Sequence, residues 1–455
     1  MLIHEEKYAC RGGDWLTRSL VPLGVLVLFL GTPHVAAADV VTDWNQIMLT
    51  AIRSAPTSPA ITPRITAIVH AAVFDAVNGI ERRYTPYHVD FDAPHGASRR
   101  AAAIQAAYAT LVKLFPTQKA TLDARRLASL TSITDDGEFE DSQSIARGIE
   151  WGQAVADDIL AWRGGDGFNV VLPPYTGGTA AGQWRPTPPA FAPANFPQIS
   201  TMMPFAMTSP SQFRAAGPPV LTSEQYAADF NESKSVGPLT GSTRTDEQTL
   251  IARFWAFNAA IIWNEAAISV AAERHTTLSE NARLFLLLNL AMADGTIASW
   301  DAKFTYVFWR PVTAIRLAAT DGNDATVPDA AWTPLLATPA HPDYTSNHST
   351  VSGAATAVLA SYFGDETPIT LASDTTPGVL RSYTSFSAAS DEVNDARVLA
   401  GIHFRSACRD GQAAGRAIGE YVMMNLARPV HGQRRGQVSH DRPAIGISAD
   451  GEIVD

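Results

Sequence analysis

Lys303, Arg310, Ser346, His348, Arg397 and His403 stand in three short blocks, "KFTYVFWRP", "HPDYTSNHSTVSG" and "ARVLAGIHFRSACRDG", in the C-terminal third of the chain. Three cations, a hydroxyl and two imidazoles are what a protein needs to hold a tetrahedral oxyanion and react on it. Guanidinium groups meet such an anion with forked hydrogen bonds, and an ammonium adds a point charge. An imidazole can attack the anion, ligate it or carry a proton to it. Singly, each residue has a plainer explanation. Lys303 or Arg310 alone reads as a solvated charge, His403 as a satisfied interior histidine, and Ser346 with His348 as the cap of a helix. Six such residues in ordered blocks outweigh those separate explanations.

The elements that must position them read as helices. A capping box of Thr277 and Glu280 opens an apolar run that extends to about Trp300 and delivers Lys303. A second helix begins at about Asn347. A third, "SDEVNDARVLAGIHFRSACRDGQAAGRAIGEYVMMNLA", holds both Arg397 and His403. Another capping box, Thr245 with Gln248, opens a long helix through residues 250–272 that is apolar on nearly every face, suited to a core or an interface. Towards the N-terminus, helical spacing covers 63–80, 99–115 and 141–163. Strand-like alternation is scarce, so the expected fold class is all-α, a multi-helix bundle.

Residues 164–219 differ: they are dense in Pro, Gly, Thr and Ser, yet Trp184, Phe191, Phe196 and Phe205 recur. Aromatics at that density predict an irregular segment packed on the protein, wrapping the helical body or separating its two halves. The expected organisation is a leader (1–38), an N-terminal helical region (39–163), the irregular segment (164–219), a C-terminal helical region with the oxyanion site (220–430) and a polar tail (431–455).

Bulk properties narrow the function. The chain has 455 residues, 46% hydrophobic and 17% charged, which is a globular composition. Its net charge of −11 argues against non-specific binding to nucleic acid or anionic lipid. Small-molecule substrates are the expected partners. Arg11 and Arg18 precede an apolar run at 20–31, and Ala36, Ala37 and Ala38 follow, so an export leader cleaved after Ala38 is expected. Cys10 would leave with it, and Cys408 alone forms no intramolecular disulfide. The best later candidate for a membrane span, 284–293, is too short against the ~20 residues needed, so no integral membrane domain is expected.

The three blocks resemble the signature of the superfamily that joins type 2 phosphatidic acid phosphatases (PAP2), bacterial acid phosphatases and vanadium-dependent haloperoxidases: K-x6-R-P, then P-S-G-H, then S-R-x5-H-x3-D. Lys303 and Arg310-Pro311 match the first element, Ser346 and His348 the second, Arg397 and His403 the third. The resemblance covers the C-terminal third and implies a helical bundle of the haloperoxidase/PAP2 type. It implies that Lys303, Arg310 and Arg397 neutralise the oxygens of vanadate or phosphate. Ser346 and the backbone N–H of Asn347 would add hydrogen bonds at a helix N-terminus. His403 would ligate vanadium or attack phosphorus, and His348 would handle protons.

The sequence departs from that pattern. Thr345 replaces Pro, Asn347 replaces a Gly that would let backbone approach the anion, and Ala396 replaces Ser. Ala407 stands where an acid is expected. Asp410 lies seven residues after His403, ~10 Å along a regular helix and out of reach. The group that orients His403 must then be a carboxylate from elsewhere, with Asp294, Asp343 and Asp391 as candidates, a backbone carbonyl or a water. His341, His348 and His403 lack the spacing of a zinc site, and no nucleotide-binding loop is present.

Three functions follow from the resemblance: a vanadate-containing haloperoxidase using hydrogen peroxide and halide, a cofactor-free phosphatase of phosphomonoesters working through a phosphohistidine at His403, or a non-catalytic oxyanion-binding protein.

Overall fold

The computed structural model describes residues 39–55, 57–133 and 140–430. The expected leader and polar tail lie outside them. Thirteen α-helices occur among the described residues: α1 Val40–Ser54, α2 Thr62–Glu81, α3 Arg99–Leu114, α4 Lys119–Thr131, α5 Ser142–Gly164, α6 Glu224–Val236, α7 Asp246–Phe254, α8 Ala259–Glu273, α9 Leu278–Tyr306, α10 Pro311–Arg316, α11 Asn347–Phe363, α12 Phe386–Leu399 and α13 Arg405–Asn425. The fold is all-α apart from a hairpin of β1 (Ile369–Ala372) and β2 (Leu380–Tyr383), paired antiparallel with Ile369 opposite Tyr383. Its Pro-Gly turn was visible in the sequence, but its strands are too short to show alternation.

One hydrophobic core runs from Val41 to Ala427 and joins the N-terminal and C-terminal helices. At its centre lies α9, started by the Thr277–Glu280 capping box and buried from Leu284 to Lys303. A helix that is apolar all round belongs in such a place. By length and composition α9 would suffice to cross a membrane, whereas 284–293 alone would not; 94% of its most apolar window is buried inside the fold. Helices α11 and α13 pack closely because small residues line the contact: a β-carbon at Gly415 would fall 2.0 Å from the Thr350 carbonyl.

Two expected helices are broken. The run through 250–272 ends at Phe254 and restarts at Ala259. Asn258 caps the restart with its side chain on the Ala260 N–H and donates to Thr62 Oγ1 at 2.7 Å. The helix expected to hold both Arg397 and His403 stops at Leu399 and resumes at Arg405, leaving His403 in the intervening turn. Gly401 explains the break. It takes a positive φ of 73°, and a β-carbon there would meet the Gly237 carbonyl at 2.4 Å.

The 164–219 segment is irregular, with one short 3₁₀ turn at Pro197–Thr201. Its buried anchors include Trp184 and Phe205, while Phe191, expected to pack, is 63% exposed. Backbone bonds tie it to the C-terminal body, Trp184 N–H to Val307 and Asn195 N–H to Ala340. The fully buried Asp294 of α9 accepts the N–H groups of Phe205, Ala206 and Met207 at 2.7, 2.8 and 2.7 Å. Asp294→Ala strands all three donors and is expected to cost about 3 kcal/mol. The checks are a lower urea midpoint and faster proteolysis within 164–219.

Candidate functional site

Lys303 sits in the last turn of α9, fully buried. Its Nζ donates to the carbonyls of Pro342 at 2.9 Å and Asp343 at 3.0 Å, and to that of Thr345. All three ammonium protons are committed to the loop that leads into α11. Lys303 therefore clamps this loop. Arg310, the residue before α10, is also fully buried. Its Nε donates to the His341 carbonyl at 2.8 Å and its Nη1 to the Ile402 carbonyl at 2.6 Å. One guanidinium thus joins the second and third sequence blocks.

Ser346 caps α11, accepting from the N–H and hydroxyl of Ser349 at 3.4 and 3.1 Å. Its own N–H donates to the Ala407 carbonyl at 2.9 Å, so Ala407 serves the site through its backbone. Asn347 begins α11, with a buried Oδ1 that has no partner. Arg397, in the last turn of α12, donates from Nη1 to the Trp255 carbonyl at 3.0 Å, while its buried Nε has no partner. His348 Nε2 lies 3.1 Å from the Phe257 carbonyl. A carbonyl only accepts, so Nε2 carries the ring proton and Nδ1 the lone pair.

His403 is 2% exposed, and its Nδ1 lies 2.8 Å from Asp343 Oδ1. The two atoms are at contact distance but outside hydrogen-bonding alignment. Of the three candidate acids, Asp343 is the one at His403. Asp294 holds the irregular segment, Asp391 accepts from Gln412, and Asp410 accepts from the Tyr344 hydroxyl. The acid that the family pattern puts four residues after the histidine is here supplied by the second block.

A cavity of about 310 Å³ opens onto Asn347, His348, Arg397 and His403. Lys303, Arg310 and Ser346 lie behind that floor and do not line it. The structure therefore gathers all seven expected residues but divides them into a lining set and a supporting set. Sequence reasoning missed His341 and Trp300, which also line the cavity. His341 Nδ1 is 2.9 Å from Arg310 Nη2, and its ring centroid is 5.0 Å from that of Trp300. His341 opens the second block, five residues before Ser346, and Trp300 lies three residues before Lys303, outside the first block; neither position has a role in the signature.

The electrostatics are those of a buried cationic centre. Burial lowers Lys303 well below its ordinary range, with Arg310 adding repulsion. Burial lowers Arg310 and Arg397 to about 10. Burial pushes the Asp343 carboxyl up to about 7, against the pull of Arg310 and Lys303. Burial holds His403 well below its ordinary range, followed by Arg310, Lys303 and Arg397. Burial and Arg397 do the same to His348. Both imidazoles are therefore neutral, the form that ligates or attacks.

These donors fit an oxyanion. Lys303, Arg310 and Arg397 are buried together, and Arg397 keeps a buried N–H without a partner. A bound tetrahedral anion would supply the missing charge and acceptors. Among the described residues no group of three or more His, Cys, Asp and Glu is placed to hold a metal cation. Orthovanadate or phosphate at a hundred times its Kd is expected to stabilise the fold by about 2.7 kcal/mol. Thermal unfolding at rising anion concentration checks this, with chloride at equal ionic strength as control.

Known proteins share both sequence and shape with this chain. The family described as the VCPO second helical-bundle domain matches residues 283–432. The vanadium chloroperoxidase of Curvularia inaequalis is 24% identical over 189 residues, 34% of this chain. That match spans 30% of the relative's length. A solved structure described as the first bacterial vanadium-dependent iodoperoxidase superposes with a TM-score of 0.74 at 25% identity, covering 86% of this chain and 97% of that one. An apo-type bacterial vanadium-dependent chloroperoxidase gives a TM-score of 0.64 at 18% identity, covering 81% and 95%, and shares the fold.

Proposed function

We propose that this chain, a member of the superfamily that joins vanadium haloperoxidases with type 2 phosphatidic acid phosphatases, is a haloperoxidase-like enzyme that holds vanadate at His403 and uses hydrogen peroxide to oxidise a halide. The balance is hydrogen peroxide, halide and a proton giving hypohalous acid and water. The observation that carries the reading is the placement of His403 between Asp343 and Arg310 in the lining of a cavity shared with Arg397. The vanadium chloroperoxidase and iodoperoxidase named among its relatives support it.

Vanadate, when bound, supplies Lewis-acid activation of hydrogen peroxide. The chain's own groups do the rest. Asp343 beside Nδ1 favours the ring tautomer with its proton there, so that Nε2, which here accepts from Arg310 Nη1 at 3.1 Å, would be the atom to hold the oxyanion. Arg397 and the first N–H groups of α11 balance the oxyanion's charge. Lys303 and Arg310 fix the loops that carry these groups. His348 Nδ1 accepts a proton at the cavity floor and can return it.

The same donors accept phosphate, so phosphomonoester hydrolysis through His403 is the second reading. Protein stripped of oxyanions by dialysis separates them. Peroxide-dependent bromination of a phenolic dye that appears only on adding orthovanadate supports the first. Hydrolysis of p-nitrophenyl phosphate that orthovanadate inhibits, with no bromination, supports the second and sinks the first. Anion binding with neither turnover leaves a non-catalytic oxyanion-binding protein.

We also propose export, on the apolar run at 20–31 and the alanines that follow it. N-terminal sequencing of the mature protein should begin at Asp39; a cytoplasmic chain retaining Met1 would overturn this.

A further inference from the structure

We infer that the cavity above the oxyanion site binds a small aromatic or otherwise apolar organic molecule, the acceptor of the oxidised halogen, rather than only admitting peroxide and halide. This rests on the haloperoxidase reading for the chemistry but not for the binding. The first observation is size. The cavity holds about 310 Å³, whereas a water occupies about 30 Å³ of liquid. Peroxide and halide, of one or two heavy atoms each, leave most of that space unfilled. A single-ring or fused-ring molecule fits, since such volumes begin the range of small-molecule pockets at about 300 Å³.

The second observation is the make-up of the lining. Beside the polar groups of the oxyanion site it carries an apolar wall of Pro59, Phe196, Trp300, Leu336 and Ile402. Access for peroxide and halide alone would need no such apolar wall, because both are strongly hydrated. The third observation is that the wall is held in place. Phe196 keeps a positive φ of 54°, which a bulky residue adopts only under constraint. Its neighbour Asn195 is tied on both sides, donating its N–H to the Ala340 carbonyl at 2.8 Å and accepting from Trp300 Nε1 at 3.4 Å. The irregular 164–219 segment thus brings an aromatic wall to a site whose chemical groups all come from elsewhere.

An acceptor held there would meet hypohalous acid before it diffuses away. Halogen transfer forms the carbon–halogen bond and breaks the oxygen–halogen and ring C–H bonds. The ring proton leaves with the hydroxide as water.

Ala337 is an exposed residue on the cavity rim, so Ala337→Trp can fill the space without disturbing the core. Saturation-transfer NMR with indole on the full chain tests binding without turnover. Transfer is expected in the wild type and its loss in Ala337→Trp. No transfer in the wild type, or transfer unchanged in the variant, overturns the inference. The vanadate-loaded enzyme with peroxide and bromide then brominates a mixture of indole and a bulky phenolsulfonephthalein dye. The product ratio should favour indole by about tenfold over reagent hypobromite, roughly what burying two ring carbons supplies. In Ala337→Trp the ratio should return to the reagent's. A wild-type ratio equal to the reagent's overturns acceptor capture. Indole binding with no bromination by any form supports the cavity assignment while the haloperoxidase reading fails.

Discussion

His403→Ala is expected to abolish peroxide-dependent bromination, a loss on the order of a thousandfold or more, while leaving the protein folded and still able to bind phosphate. The size of the loss follows from what the residue alone provides. The cations behind the cavity floor can balance an anion's charge, but only a neutral ring nitrogen can form a bond to its central atom. Removing the bond-forming member of a catalytic group takes away nearly the whole of the acceleration, whichever supporting residues survive. The backbone of the turn is held independently, by Ser233 Oγ on the His403 carbonyl and by Asp229 on the Ser406 N–H. The variant should therefore keep its circular dichroism and part of its phosphate-induced rise in Tm. Bromination within tenfold of wild type would sink the assignment of His403.

Asp343→Asn is expected to lower turnover by about 10–100-fold, the usual effect of removing a group that orients a ligating histidine, without weakening phosphate binding. The two effects part because Asp343 has two influences of opposite sign. Its negative charge opposes an incoming anion, so its loss makes the pocket more cationic. Its place 2.8 Å from Nδ1 favours the tautomer that puts the lone pair on Nε2, so its loss frees the ring to take the wrong one. A residue that merely held the fold would lower binding and turnover together.

The pH dependence gives a second readout. With its carboxyl pushed up to about 7, Asp343 is neutral below that pH and charged above it. Protonated, it resembles the asparagine that replaces it. The gap between wild type and Asp343→Asn should therefore widen as pH rises through 7. A gap constant from pH 5 to 9 would count against the orienting role.

The site was legible in the sequence as a set of residue types and less so as a geometry. The three blocks name cations and imidazoles, and two capping boxes mark the starts of α7 and α9. Helix breaks were harder to see because the apolar spacing runs on through them. Asn258 competes locally for the backbone and caps the restart of one helix. Gly401 ends another because only glycine tolerates both its φ and its closeness to Gly237. Asp343 could not be singled out because its meeting with His403 depends on the Lys303 clamp and on the α12–α13 turn, both products of tertiary packing. The same clamp ties the Lys303 ammonium to three carbonyls of that loop, partners that no sequence signature records.

The break between α7 and α8 has a further meaning. In an unbroken helix the carbonyls of Trp255 and Phe257 would be tied to N–H groups of the next turn. Freed by the break, one receives Arg397 and the other His348. Through Asn258 and Thr62 the break is fastened to the start of α2, beside the Pro59 that forms part of the cavity wall. The family match at 283–432 contains every group expected to do chemistry, yet none of these fastenings. The chemical residues are thus tenants of a frame built by the other half of the chain. A fragment limited to that match would carry the signature in full and lack the alignment that makes it a site.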